Sequence, residues 1–278
     1  MYHYIPGAVE TRTVTYADLQ TDTYAAVNPL KKVPALIDAQ GSSLFEASVI
    51  LNYLEDTFTG VGSGGGGAAA AGFRPATAEA RAAVERLVRV HDLYIASPNN
   101  TQPGFSHTQG AMYLAPFDTP FTPAARAMGN RATRAAKIAE IWKQLSWLEA
   151  QLERRGGPFL AGAAVTHADI TWHPTCVFME HMLPSVFGWP HSLFSVPRSS
   201  RSSSDADTVE QEEEEPARAP SPLPRVTAWY RECCEIPAFQ AVRETILAHW
   251  RKMDELGMFD PIRQEVKDGA EEFKWKYP

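Results

Sequence analysis

Apolar residues alternate near the start of this chain and recur at helical spacing from about Ala78 onward. Residues 9–16, Val-Glu-Thr-Arg-Thr-Val-Thr-Tyr, are β-branched and partly alternating, which predicts a strand. Residues 33–37 predict a second strand, with a turn at Asp38-Ala39-Gln40-Gly41 and a third short strand near Ser43-Leu44-Phe45. Residues 46–58 predict a helix. Further on, Val84, Leu87, Val88, His91 and Tyr94 form one helical stripe, and Ile138, Ile141, Trp142, Leu145, Leu148 and Leu152 another. Both predict core-facing surfaces. The last helices are expected to start near Leu223-Pro224 and Pro237. Val226, Trp229, Tyr230 and Cys233 line one, and Phe239, Val242, Ile246 and Trp250 the next.

The segments without periodicity set the domain plan. A small domain at 1–59 is followed by a Gly/Ala-rich linker at 60–77, where no Lys-Ser/Thr ending makes the glycines a phosphate loop. A helical domain spans 78–258, and 259–278 is a C-terminal extension. Within the helical domain, residues 97–130 form a long loop, either a lid or partly disordered. Its aromatics, Tyr113, Phe117 and Phe121, favour packing against the body. Residues 191–222 run through Ser202-Ser203-Ser204-Asp205 into Glu212-Glu213-Glu214-Glu215, which predicts a disordered insertion.

Hydrophobic residues make up 44% of 278, enough for a packed core. A net charge of -7 gives no electrostatic reason to expect nucleic acid or an anionic membrane as partner. No apolar run is long enough to span a bilayer, and the N-terminus lacks the features of a signal peptide. Three cysteines cannot build a disulfide framework, so reduced thiols in a cytoplasmic protein are expected. Cys176 reads as core. Cys233 and Cys234, adjacent on one helix, are expected to divide between core and surface. His167, His173 and His181 lack metal-ligand spacing, so no metal is expected.

The stretch Asn28-Pro29-Leu30-Lys31-Lys32-Val33-Pro34-Ala35-Leu36-Ile37-Asp38, followed by Leu44-Phe45-Glu46-Ala47-Ser48, resembles the glutathione-binding half of the glutathione transferase superfamily. The resemblance implies a thioredoxin-like α/β domain, lacking its first strand and helix, followed by an all-α helical bundle. It implies a cis Val33-Pro34 bond whose preceding residue pairs with the cysteinyl part of glutathione like an added strand. It implies a γ-glutamyl site at Glu46, Ala47 and Ser48, where an acid and a helix start hold the ligand's charged end. Lys32, Val33 and Pro34 complete the glutathione set. Ala47 stands where the family usually has a hydroxyl, so weakened binding is expected.

Val165-Thr166-His167-Ala168-Asp169-Ile170 resembles the buried helix start of the family's helical domain. Its spacing predicts a capping box of Thr166 and Asp169 between staple residues Val165 and Ile170, a folding device and not a catalytic pair.

The family's chemistry rests on a Tyr, Ser or Cys at the end of the first strand or the start of the first helix. Only 33 residues precede Pro34, too few for that strand and helix, so no catalytic residue is assigned. Tyr2 and Tyr4 are not given the role. The resemblance implies conjugation of glutathione, as co-substrate, to a small hydrophobic electrophile, or a glutathione-dependent reduction, where the full element exists. Tyr94, Tyr113 or Trp172 would then line the acceptor pocket, in a possible homodimer. The alternative is a non-catalytic binding or scaffold protein of the same fold.

Overall fold

A computed structural model describes residues 9–58, 72–96, 108–124, 127–194 and 220–273. It divides into two units, Met1–Arg81 and Ala82–Pro278. The division falls inside a helix, a few residues past the expected boundary at 78. Most of the expected linker (59–71) and the core of the expected insertion (195–219) lie outside the described residues, as do Tyr2 and Tyr4.

Residues 9–15 hold neither strand nor helix, and the expected strand at 9–16 gives way to helix α1 (Tyr16–Leu19). The reason is local. The Asp18 carboxylate accepts from the Thr15 backbone N–H at 2.7 Å and from its hydroxyl at 2.8 Å, while Thr15 Oγ1 accepts from the Asp18 N–H at 3.2 Å. That reciprocal cap fixes a helix start and outweighs β propensity. Helix α2 (Asp22–Val27) follows, capped by Thr21.

Strands β1 (Ala35–Ile37) and β2 (Ser43–Phe45) pair antiparallel, with Ala35 opposite Phe45 and Ile37 opposite Ser43. The turn between them closes on Asp38, whose Oδ1 accepts from the backbone of Gln40 and Ser42, and on Gly41 at φ +86°. Helix α3 (Ala47–Phe58) buries Ile50 and Leu54. These elements agree with the sequence reading to within two residues.

In the second unit, helix α4 (Ala78–Val90) runs into a π-helical turn, His91–Ala96. Val84, Leu87, Val88 and His91 are buried as the stripe predicts, but Tyr94 is half-exposed and Ile95 is buried in its place. A π turn takes more residues per revolution than an α turn, so the inward face slips by one position. Short α5 (Gly110–Tyr113) precedes the long α6 (Arg131–Arg155), which buries Ile138, Ile141, Leu145, Leu148 and Leu152. In the loop after α5, Phe117 and Phe121 are exposed, contrary to expectation, while Tyr113 packs against Phe178 and Trp250.

Helix α7 (His167–Phe187) is apolar almost all round and forms the centre of this unit, packed by α5, α8 (Pro224–Cys234), α9 (Pro237–Glu255) and α10 (Asp260–Asp268). Two edges of the domain plan change. His191–Phe194, expected at the head of the insertion, form a 3-10 turn with Leu193 and Phe194 buried. Phe259, Ile262 and Phe273, expected in an extension, belong to the same core as α7.

Candidate functional site

The site lies wholly within the first unit, at one end of the β1–β2 ladder. The ladder ends with Ala35 opposite Phe45, and Pro34 and Glu46 are the next residues outward on the two strands. The bend before β1 and the start of α3 therefore lie at the same end of the hairpin.

The Val33–Pro34 bond is cis. Val33 is 58% exposed, and neither its N–H nor its C=O is hydrogen-bonded among the described residues. An exposed, unspent donor and acceptor on one residue beside a strand are what an extended peptide needs to pair with it. The Lys32 side chain is exposed beside it, and the Lys32 carbonyl accepts from Tyr24 Oη and from Asn28 Nδ2, each at 2.7 Å.

Across the hairpin, Glu46 sits at φ +72°, a region that non-glycine residues rarely occupy. Its carbonyl accepts from the Ile50 N–H at 3.0 Å, which makes Glu46 the N-cap of α3. The N–H groups of Ala47 and Ser48, at the first two helical positions, therefore have no acceptor within the helix. An exposed carboxylate beside free helix-start donors can hold a group bearing both an ammonium and a carboxylate. Lys32, Val33, Pro34, Glu46, Ala47 and Ser48 thus gather at one end of one hairpin. Sequence reasoning gave Asn28 a place in the motif without a role, and missed Tyr24.

The residues expected to line an acceptor pocket fare differently. Trp172 is fully buried, and its indole N–H donates to the Leu87 carbonyl at 2.9 Å, so it lines no open pocket. Tyr113 is half-buried between Phe178 and Trp250, and Tyr94 stands exposed on the π turn.

Thr166 and Asp169 form the capping box of α7. Asp169 Oδ2 accepts from the Thr166 N–H at 2.8 Å and hydroxyl at 2.9 Å. Its Oδ1 accepts from the Leu160 N–H at 2.9 Å and from Trp229 Nε1 at 2.8 Å. Burial pushes this carboxyl above its usual range, against the pull of those hydrogen bonds.

All three cysteines are free and buried, which corrects the expectation that Cys233 and Cys234 divide between core and surface. Helix α8 is covered by α6, α7, α9 and the 191–194 turn, so positions one residue apart both face protein. Burial raises every thiol, Cys234 to about 12, which leaves them protonated and unreactive near neutral pH.

His173 packs between Tyr230 and Phe239, with Nε2 3.6 Å from Cys234 Sγ. Burial, aided by Arg243, lowers it from 6.5 to about 3. A histidine held neutral in the fold adds stability that is complete above pH 6.5 and is lost as pH falls from there towards 3. Unfolding midpoints should therefore drop on acidification through that window. In His173→Phe the drop should be shallower, with the remainder shared by His181, which burial also lowers. An unchanged pH slope in His173→Phe would count against this assignment. Among the described residues, no three His, Cys, Asp or Glu side chains gather as a metal would require.

Two family models match the chain: the glutathione S-transferase N-terminal domain over residues 8–56, and the glutathione S-transferase C-terminal domain over 131–232. Together they span more than half of it. No curated protein sequence matches the chain. Among solved structures, the chain is similar to the glutathione transferase URE2P5 from Phanerochaete chrysosporium. Identity is 17%, coverage is 88% of this chain and 86% of that one, and the TM-score is 0.56. It is also similar to URE2P6 from the same organism, solved in complex with oxidized glutathione (18% identity, 86% and 84% coverage, TM-score 0.54). A third is a diazinon-metabolizing glutathione S-transferase of the silkworm Bombyx mori (18% identity, 84% and 80% coverage, TM-score 0.50). At such identities these structures speak for the fold alone. With a thioredoxin-like first unit, an all-α second unit and a family model matched in each, the chain belongs to the glutathione S-transferase superfamily.

Proposed function

We propose that this chain binds glutathione at the Val33–Glu46 end of the hairpin, the cysteinyl part pairing with Val33 and the γ-glutamyl end held at Glu46 and the start of α3. The observation that carries this reading is the exposed Val33 residue, whose two backbone groups have no hydrogen-bond partner among the described residues. The family's use of glutathione supports it. Where a group stabilises the thiolate, the bound peptide would be conjugated to a small hydrophobic electrophile or serve as a reductant, in a cytoplasmic protein assembled as a homodimer. Among the described residues, no helix is long and apolar enough to cross a membrane.

One feature favours the second reading, a non-catalytic binding or scaffold role. Ala47 offers no hydroxyl at the helix start, which leaves the Glu46 carboxylate and the backbone donors to hold the γ-glutamyl end. Titration calorimetry with reduced glutathione should give sub-millimolar to millimolar affinity, roughly 4–5 kcal/mol. Glu46→Gln should weaken it a further tenfold or so by removing one charge-assisted contact. Micromolar binding would show that Ala47 has been misread, and no loss in Glu46→Gln would move the γ-glutamyl end elsewhere. Residues 1–278 should not turn over an aromatic electrophile above the uncatalysed rate. Without stabilisation only a few per cent of a thiol is thiolate at neutral pH. Measured turnover would decide for the enzyme over the scaffold.

A further inference from the structure

We propose that Tyr24 and Asn28 are positioning residues for the glutathione contact, fixing the Val33 amide by gripping the carbonyl of the same peptide unit. The inference rests on the glutathione reading of this site. A peptide group is planar, and in its trans form the C=O and N–H point in opposite directions. The Lys32 carbonyl and the Val33 N–H belong to one such group. Tyr24 Oη and Asn28 Nδ2 converge on the carbonyl oxygen, each at 2.7 Å. With that oxygen held from two sides, the rotation of the peptide is set, and with it the line along which the Val33 N–H points.

The grip is itself braced. Tyr24 and Asn28 stand four residues apart at the end of α2, a spacing that brings side chains to one helix face. The Asn28 N–H donates to the Tyr24 carbonyl at 2.8 Å, closing the helix. Asn28 is 2% exposed. Its Oδ1 accepts from the Leu30 N–H at 2.9 Å, and its carbonyl accepts from the Lys31 N–H at 2.9 Å. These bonds hold Lys31 at φ +53° and tie the turn to the helix end. Asn28 thus spends both side-chain ends on the loop that carries Val33.

A second effect adds to the geometric one. Hydrogen bonds to an amide oxygen polarise the whole peptide group, which makes its N–H a stronger donor. The Val33 N–H would meet the cysteinyl carbonyl of glutathione already aimed and already polarised. A flexible loop would have to be ordered by the ligand at the ligand's cost.

The test uses residues 1–278, reduced glutathione and two variants. Tyr24→Phe removes one donor and leaves the ring. Asn28→Asp keeps the acceptor for Leu30 but turns an oxygen towards the Lys32 carbonyl. Calorimetry should show affinity falling about threefold in Tyr24→Phe, whose bond is solvent-exposed, and about tenfold or more in Asn28→Asp. The thermal midpoint of Tyr24→Phe should stay close to that of the unsubstituted protein. In valine-labelled samples at saturating glutathione, the downfield shift of the Val33 amide proton should be smaller in Tyr24→Phe. A merely structural role would weaken binding yet restore the full shift at saturation, and that result would overturn the inference. Equal affinity in Tyr24→Phe and unsubstituted protein would overturn it while leaving the site reading intact. No glutathione binding by the unsubstituted protein would overturn both. If Asn28→Asp does not fold, the Tyr24→Phe arm decides alone.

Discussion

Alanine at position 169 should cost the second unit about 3–5 kcal/mol, because several buried donors lose their one acceptor together. Four donors converge on this carboxylate from three parts of the chain: the Leu160 loop, the Thr166 helix start and the Trp229 indole of α8. Removing it strands buried backbone and indole N–H groups, each of which costs about 1–3 kcal/mol when left unpaired. Asp169→Asn should cost less than Asp169→Ala, because one side-chain oxygen remains to accept. Thr166→Ala should cost about 1 kcal/mol, since its backbone N–H still reaches the carboxylate. The double Thr166→Ala/Asp169→Ala variant should cost less than the sum of its parts, because the hydroxyl has nothing to donate to once the carboxylate is gone. Every tryptophan lies beyond residue 81, so urea unfolding followed by indole fluorescence reads this unit by itself. Strict additivity, or a loss under 1 kcal/mol for Asp169→Ala, would sink the account.

That box was legible in the sequence because everything it needs lies within six residues. The hairpin was legible for the same reason. A short apolar run, a turn from Asp38 to Gly41 and a helix-opening acid all act locally, while the cis Val33-Pro34 bond was implied by the family resemblance of the same stretch. The failures have a common physical origin in contacts between distant residues or in competition between local signals. Thr15 and Asp18 carried a readable cap, but the β-branched run around them suggested the opposite, and the cap prevailed. The π turn shifted Tyr94 outward through one extra residue that no apolar pattern announced. Cys234 is buried because four neighbouring elements close around α8, which helical periodicity cannot show. Tyr24 was missed because its partner is a backbone carbonyl eight residues away, and a carbonyl leaves no mark in side-chain chemistry.

Arg134 shows the same limit at the longest range, and breaking its contacts should cost about as much as losing Asp169. Its side chain is fully buried. Nη1 donates to the Ala111 carbonyl at 2.6 Å and Nη2 to the Leu114 carbonyl at 2.7 Å, while Nε reaches Glu265 Oε2 at 3.1 Å. One guanidinium therefore ties α6 to the α5 turn and to α10, which the sequence had placed in an extension. Its planar fork suits three acceptors at fixed angles, which a lysine ammonium cannot reproduce. Arg134→Met should lower stability by about 3–5 kcal/mol, because Glu265 is left charged in a site where its side chain is 9% exposed. Adding Glu265→Leu should recover part of that loss, since removing both charges ends the penalty of the unpaired one. Recovery should stop short of the original stability, because the Ala111 and Leu114 carbonyls remain without their donor. Arg134→Lys should fall between the two. Fluorescence-monitored unfolding of the unsubstituted protein, Arg134→Met, Glu265→Leu and the double variant gives the coupling directly. If Arg134→Met and Glu265→Leu prove additive, the pair does not act as one unit and α10 is held by its apolar face alone.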